Sequence, residues 1–405
     1  MNATLTITKD KITSIAKNRI ASIDFLRGTI MIIMALDHVR DYLFFGSFYF
    51  DPLNLTKTTG AIFFTRWITH FCAPIFLLLT GTSAYLVGQR KSKKELSAFL
   101  VKRGLWLILL EMIVTNFGWN FNITFPMIFF ITLWALGWGM ILLAGLIHLP
   151  PKWILAISVI LIAGHNALDS IHVAGNTLPA FGWALLHEQQ FFTWHGEQLL
   201  VGYPLIPFIA ITPLGYCLGQ LYTAPYNAER RKKTLLTLGT SAWLLFIGLR
   251  FINVYGDPVK WSVQKNGFFT FLSFININKY PPSLDYVLVT IGAACLFLAF
   301  TEKLKNGMVK VVSVYGRVPM FYYLIHIYVI HLVALVASAL TPGQDWHIWF
   351  LKNPLWFTHD LQGYGFSLPV AYLIWMAVVV ALYPLCKRYD AYKQSHKNKW
   401  WLSYL

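Results

Sequence analysis

The sequence predicts an all-α protein, a polytopic bundle of about ten membrane-spanning helices with both termini in the cytoplasm. Its composition is 57% hydrophobic and only 12% charged, and its mean hydropathy is +0.55. Apolar runs of membrane length recur along the chain, and basic residues cluster between alternate runs. A chain of this composition needs a lipid bilayer as its solvent, which excludes an ordinary soluble enzyme.

The distribution of charge orients this predicted bundle. Of the 33 Lys and Arg residues, 24 fall in the segments 1–27, 88–103, 148–152, 222–233, 302–310 and 387–399, together with 6 of the 17 Asp and Glu residues. This excess is the positive-inside signal of a multi-pass membrane protein, and it orients the bundle with both termini in the cytoplasm. The net charge of +16 therefore does not indicate nucleic acid as a partner. We predict a cytoplasmic segment 1–27, a transmembrane domain 28–386 and a cytoplasmic basic tail 387–405.

Ten apolar runs are long enough to be considered as helices. Basic loops or turns rich in Pro and Gly separate them, and the Pro150-Pro151 pair is the tightest of these turns. Kinks are expected in the sixth helix, which contains Pro204, Pro207 and Pro213. The predicted helices are 28–45, 61–87, 98–116, 126–149, 153–163, 199–222, one that ends at Arg250, 284–300, 311–340 and 367–385.

The first helix contains four clustered ionisable residues, Asp37, His38, Arg40 and Asp41. Charges at membrane depth are costly, so they usually face a protein interior or a wet cavity and mark a reaction centre or a pathway. A helix that begins at residue 28 places His38 about 15 Å along its axis, near the middle of the bilayer.

Helical spacing predicts the partners within this cluster. Asp41 lies one turn from His38 and can orient its imidazole, which suits a general base, whereas Asp37 can pair with Arg40. Arg27 lies on the same stripe as His38, toward the cytoplasmic end. The alternative is a neutralised polar network that only locks the helix into the bundle.

Polar residues in other predicted spans extend the candidate site. Arg66 and His70 lie one turn apart near the outer end of the second helix, and Glu111 and Asn116 lie within the third. Lys279 belongs to a long outer loop, and loops of that length are usually functional.

The ninth predicted helix contains Arg317, Tyr323 and His326. Arg317 is expected in the inner leaflet, where it needs an anion or a carboxylate as partner. His326 lies among aromatic residues and can also be an ordinary buried histidine.

Metal and disulfide chemistry are not expected. The four cysteines are scattered through apolar spans. Four histidines follow the fifth helix at long, irregular spacings without an HxxxH or HExxH pattern, which favours solvated or acceptor-lining side chains. They are His165, His172, His187 and His195.

Several motifs together resemble one family along nearly the whole chain. They are RIASIDFLRG, MIIMALDHVRDY, RWITHFCAPIFLLLTGTSAYL, WALGWGMILLAGLIHLP, YPLIPFI, NKYPPSL and GRVPMFYYLIHIYVIH. The combination resembles the bacterial relatives of heparan-α-glucosaminide N-acetyltransferase. The spacing of Arg27 and His38 is also similar to that of membrane acyltransferases that O-acetylate bacterial surface glycans. The lysosomal enzyme has its essential histidine in the loop after the first helix; the loop 46–60 here has none, and His38 is the expected substitute.

The resemblance implies transfer of an acetyl group from cytoplasmic acetyl-CoA to an acceptor reached from the other side of the membrane. We expect His38 as base or transient acyl carrier, oriented by Asp41 or Asp37, with Arg40 stabilising the oxyanion. The acceptor is expected to be a glycan or another small molecule, and a homo-oligomer remains open. Residues expected to bind the acyl-CoA are Arg27, Arg103, Arg317 and Tyr323, and those expected to bind the acceptor are Arg66, His70, Glu111, Asn116, Lys279 and His326.

Other functions remain open from the sequence. A proton-coupled transporter also uses buried Asp, His, Arg and Glu residues, and the kinked sixth helix suits a pathway. We find no internal repeat of the kind common in transporters. A signalling or scaffold protein would leave the buried charges unexplained.

Overall fold

A computed structural model describes residues 20–224, 226–355 and 359–403. It confirms a mostly helical protein, with one small sheet that the sequence did not predict. Most of the predicted N-terminal segment, residues 1–19, and the last two residues of the predicted tail lie outside the described part of the chain.

The connections between successive helices range from the single residue Val318 to the long segment 340–367. In order they are α1 Ala21–Leu43, α2 Gly60–Trp67, α3 Cys72–Gly88, α4 Lys93–Leu110, α5 Asn116–Asn120, α6 Thr132–Leu146, α7 Pro151–Gly164, α8 Leu178–Leu186, α9 Leu205–Gly219, α10 Ala228–Ile252, α11 Gly267–Ile275, α12 Leu284–Thr301, α13 Gly307–Arg317, α14 Pro319–Ala339 and α15 Leu368–Ser395. The strands are β1 Met127–Phe130, β2 Gln190–Trp194 and β3 Glu197–Val201.

Seven helical segments among the described residues are long and apolar enough to cross a membrane. The count of about ten spans is therefore not confirmed. Helices α1, α4 and α6 are not among the seven: α1 and α4 each contain five charged residues, and α6 has only 15 residues. Helix α1 has 23 residues, which corresponds to about 34 Å, so its charges rather than its length set it apart. The seven segments are 60–88, 151–168, 205–222, 228–252, 284–301, 319–339 and 368–395.

The three strands form a sheet in the order β1-β3-β2, with β1 parallel and β2 antiparallel to β3. The prediction was wrong here, because β1 was included in the fourth helix and most of β3 in the sixth. A short, continuous apolar run fits a buried strand as well as a helix, so periodicity cannot separate the two. His195 and Gly196 form the tip of the β2-β3 hairpin, and both have positive φ. The His195 side chain is exposed at this tip.

Three predicted helix boundaries also change. Helix α1 begins at Ala21 instead of residue 28, so His38 lies toward its C-terminal end and not at its middle. The predicted ninth helix is two helices, because Pro319 starts α14 after Val318 leaves the helical conformation. Helix α15 continues to Ser395, ten residues beyond the predicted end.

Glycines allow three pairs of helices to cross in close contact. A Cβ atom on Gly316 would lie 1.8 Å from the Asp24 carbonyl oxygen, and one on Gly28 would lie 2.0 Å from the Val312 carbonyl oxygen. Similar reciprocal contacts join α3 to α9 and α4 to α6. Such close backbone approach is the usual basis of helix association in membranes. Helix α1 is fixed in this way against α13, and it also packs on α3, α12, α14 and α15.

Two buried charged residues organise the loops above the C-terminal end of α1. The guanidinium of Arg250 donates to the carbonyl oxygens of Val259, Ser273, Phe274 and Asn276. Asp257 accepts from the Ser283 hydroxyl at 2.6 Å and from the Asn278 backbone N–H at 2.8 Å. Burial raises the pKa of Asp257. These contacts hold the segment 276–283 in one position over α1.

Candidate functional site

A cavity of about 1030 Å³ lies at the C-terminal end of α1. His38 and its charged neighbours line it, and its other walls come from five parts of the chain. They are the loop 47–54, Arg66 of α2, residues 131–132 at the start of α6, residues between 189 and 203 around the hairpin, and the loop 276–280. Tyr323 of α14 and Trp119 of α5 complete its inner surface.

A hydrogen bond between two histidines determines which nitrogen of His38 faces this cavity. His38 Nδ1 lies 2.8 Å from His326 Nε2, and His326 Nδ1 lies 2.9 Å from the Tyr322 carbonyl oxygen. A carbonyl oxygen can only accept, so His326 Nδ1 bears a proton and its Nε2 accepts from His38 Nδ1–H. His38 Nε2 therefore holds a lone pair, and none of the described residues donates a hydrogen bond to it. This is the arrangement that a general base requires.

The carboxylates predicted to orient His38 bind cations instead. Asp37 accepts from Arg66 Nη1 at 3.1 and 3.2 Å and lies 2.8 Å from Arg40 Nη2 and 4.0 Å from Lys279 Nζ. Asp41 lies 2.5 Å from Arg40 Nη2. The predicted pairing of Asp37 with Arg40 is confirmed, whereas the predicted contact between Asp41 and His38 is wrong.

Arg40 is a fixed positive charge beside His38. It is 3% exposed and lines the cavity, with Nη2 shared between the two carboxylates. Its Nε and Nη1 have no hydrogen-bond partner among the described residues. A cation held in this way can stabilise negative charge that develops nearby.

Two tyrosines that sequence reasoning missed also line the cavity, near Lys279. Tyr203 and Tyr280 line the cavity, with ring centroids 5.3 Å apart. Burial opposes ionisation of Tyr280, but the cations Lys279 and Arg66 prevail and lower its pKa. The YP pairs at Tyr203 and Tyr280 stood in motifs already noted, yet nothing local indicated that they meet.

Four residues predicted to bind an acceptor, His70, Glu111, Asn116 and His326, are not among those that line the cavity. Glu111 Oε2 accepts from the N–H groups of Leu133 and Trp134, at 2.5 and 3.2 Å, and so caps the N-terminus of α6. Asn116 bonds both backbone groups of Phe129 in β1. His70 Nδ1 lies 3.2 Å from the Arg66 carbonyl oxygen. His70, Glu111 and Asn116 brace the backbone, and His326 binds His38 itself, whereas Arg66 and Lys279 line the cavity.

The arginines predicted to bind acyl-CoA lie away from this cavity, whereas Tyr323 lines it. Arg317 Nε donates to Asp390 at 2.7 Å, so the carboxylate alternative for its partner is confirmed. Arg27 donates to Asp24, Ser83 and the Gly316 carbonyl oxygen, beside Arg317.

Arg103 lies on α4 with its guanidinium over the Phe99 ring. Eleven residues of helix, or about 16 Å, separate Arg27 from His38. Arg27, with Arg317 beside it, therefore lies at the opposite end of α1 from the cavity.

The fold and this site define a helical membrane protein with a histidine that lines a polar cavity. The sequence matches the family described as "Heparan-alpha-glucosaminide N-acetyltransferase, catalytic" over residues 19–256, more than half of the chain. The chain belongs to this family, which indicates a membrane acetyltransferase. The match includes the charged cluster of α1 and Arg66, whereas Lys279, Tyr323 and His326 lie beyond it. A comparison with curated proteins finds no match.

Proposed function

We propose that the protein transfers an acetyl group from acetyl-CoA to a hydroxyl or amine of a glycan-like acceptor that enters the His38 cavity. The observation that supports this most directly is the lone pair on His38 Nε2, fixed by His326 and facing a space large enough for a small acceptor. Family membership supplies the acetyl chemistry.

The transfer follows from the positions of His38 and Arg40. His38 Nε2 removes the proton from the acceptor hydroxyl or amine as that group attacks the thioester carbonyl carbon. The guanidinium of Arg40 stabilises the tetrahedral oxyanion. The intermediate collapses by breaking the carbon–sulfur bond, and the proton on His38 passes to the leaving thiolate to give CoA. A covalent acetyl-histidine on the same nitrogen is the second route, and it uses the same residues.

The donor is proposed to enter from the cytoplasmic end of α1, with its phosphates near Arg27, Arg103 and Arg317. Guanidinium groups suit phosphate oxygens, but Arg317 already binds Asp390 and Arg27 already binds Asp24. The phosphates would therefore share or replace these carboxylates. With this orientation, the acceptor cavity opens on the extracytoplasmic side of an inner (plasma) membrane.

Calorimetric titration of acetyl-CoA into the detergent-purified full chain tests the donor side. We expect saturable binding to the wild type, competed by free CoA, and weakened about tenfold, or 1.4 kcal/mol, in Arg317→Ala. Arg388→Ala removes an exposed arginine near Asp390 and is the matched control, expected to bind like the wild type. Absence of saturable binding to the folded wild type would contradict the proposed function and favour a transporter.

A further inference from the structure

The fold brings two of the scattered histidines together with a carboxylate, far in sequence from the charged cluster of α1. His165 Nδ1 lies 3.4 Å from His187 Nε2, and that nitrogen lies 3.6 Å from Asp169 Oδ1. The three ligand atoms all lie within 4.8 Å of one another. His165 and His187 are 2% and 3% exposed, so this is an interior cluster and not a chance meeting of surface side chains.

Two of the three separations between these ligand atoms fit tetrahedral coordination. Ligand atoms about 2.0 to 2.1 Å from a zinc ion lie roughly 3.3 to 3.5 Å apart at the corners of a tetrahedron. The observed 3.4 and 3.6 Å therefore need little adjustment to accept an ion. His165 is the first residue of the 3-10 turn that follows α7, and Asp169 follows the last residue of that turn, so one short turn supplies both side chains.

Neighbouring groups hold the three ligands in place. Asn166 Nδ2 donates to Asp169 Oδ2 at 2.8 Å, which leaves Oδ1 directed at His187. The Asn166 amide is itself fixed, because its Oδ1 accepts from the Leu284 N–H at 2.9 Å. The His187 ring stacks on Trp183, with centroids 5.3 Å apart and planes 21° apart. Outer contacts of this kind are what orient ligands in built metal sites.

We propose that His165, Asp169 and His187 form a zinc site. Two imidazole nitrogens and one carboxylate oxygen are ligands that Zn²⁺ accepts, with water or the His165 carbonyl oxygen in the fourth position. That carbonyl oxygen lies 2.8 Å from His187 Nε2 and can only accept, so without an ion His187 Nε2 bears a proton. Zinc takes the place of this proton, which moves to solvent on binding.

The position of the site suggests what the ion stabilises. His187 follows the last residue of α8, and Gln189, two residues further on, lines the His38 cavity. His165 follows the last residue of α7. The ion therefore ties the segment that leads into β2 to the end of α7, and it braces one wall of the cavity.

Metal analysis of the full chain, with any affinity tag removed, tests this site. We expect one equivalent of zinc after dialysis, and a visible d–d absorption band when Co²⁺ replaces zinc. The affinity for Zn²⁺ in chelator competition should fall at least tenfold in Asp169→Ala, His165→Ala and His187→Ala. His172→Ala is the matched control, because His172 is exposed and pairs with Glu188. Chelation should lower the Tm of the wild type and leave that of Asp169→Ala unchanged.

Three results would overturn the proposal. They are no saturable Zn²⁺ binding to the wild type, equal affinity in the wild type and Asp169→Ala, and a loss in His172→Ala as large as that in Asp169→Ala. Asp169 is partly exposed, so its alanine variant is expected to fold. If the histidine variants fail to fold, the Asp169→Ala variant alone decides whether the site binds zinc.

Discussion

At the scale of single residues, the central feature is the hydrogen bond from His38 to His326. The buried His326 is itself fixed by a backbone carbonyl, so it determines the tautomer of its partner without touching the cavity. In many enzymes a carboxylate has this role, whereas here the carboxylates nearby are held by arginines. His326 is thus a positioning residue for the proposed base.

Substitution of His326 separates positioning from folding. His326→Leu removes the acceptor for His38 Nδ1–H, and we expect kcat to fall about 10²-fold or more with KM nearly unchanged. His326→Gln keeps an oxygen acceptor for His38 and an N–H donor for the Tyr322 carbonyl, so it should retain most of kcat. Steady-state kinetics of the two variants make the comparison. Equal activity in His326→Leu and the wild type would exclude this role.

Asp37 pairs with cations that line the cavity, so neutralising it should lower the stability of the fold. Asp37→Asn leaves Arg66 and Lys279 without their shared carboxylate, at a cost of about 3 kcal/mol for unpaired buried charge. Thermal unfolding in detergent should show a clearly lower apparent Tm. The control is Asp51→Asn, an exposed residue of the same cavity, which should change little. A wild-type Tm in Asp37→Asn would show that the cluster does not stabilise the fold.

The sequence alone identified His38 because a cluster of charges in an apolar helix demands an explanation. It could not identify the partner of His38, because His326 lies 288 residues away and no local pattern joins the two. The contact between His165 and His187 was missed for the same reason, because 22 residues, including helix α8, separate them in the sequence. Only the spacing of His165 and Asp169 gave a local signal.

At the scale of the elements, glycine crossings place α1 and with it the site. The contacts of Gly28 and Gly316 are between backbones, so no side chain can move aside to admit a larger residue. The same is true of Gly81 and Gly215, whose Cβ atoms would lie 1.8 and 2.0 Å from carbonyl oxygens. Gly81 stood in a motif noted from the sequence, but nothing local indicated that Gly215 lies on the helix it crosses.

A methyl group at this crossing should separate the helices. We expect Gly316→Ala to lower stability by about 1 to 3 kcal/mol, the usual cost of overpacking, and to reduce acetyl transfer as α1 shifts. Gly248→Ala is the matched control, since nothing lies within 4 Å of a Cβ at that helical position. Apparent Tm and turnover of both variants are the measurements. Wild-type behaviour of Gly316→Ala would mean that α1 and α13 approach less closely than described.

Element boundaries show where sequence patterns lose information. The seven candidate spans correspond to predicted apolar runs, but β1 and residues 199–201 of β3 are equally apolar and were absorbed into predicted helices. The break at Pro319 was readable in principle, because proline removes a backbone donor and favours the first turn of a new helix. It was missed because mostly apolar residues lie on both sides of it.

At the scale of the whole molecule, the two ends of α1 bear different chemistry. Arg27 lies near its start, and the proposed base His38, at the polar cavity, lies near its end, about 16 Å further along the axis. A donor bound at one end and an acceptor at the other would meet at His38. This division accounts for charges that a purely structural helix would not need, and it agrees with the family to which the chain belongs.

The most direct test is release of CoA from acetyl-CoA by purified protein in lipid vesicles, with glucosamine as the probe acceptor. We compare the wild type with His38→Gln, which keeps a polar side chain of similar length but cannot act as a base. We expect the wild type to release CoA only when the acceptor is present, and the variant to release it at least about 100-fold more slowly while binding acetyl-CoA equally well. Equal rates in the two proteins would contradict the proposed role of His38.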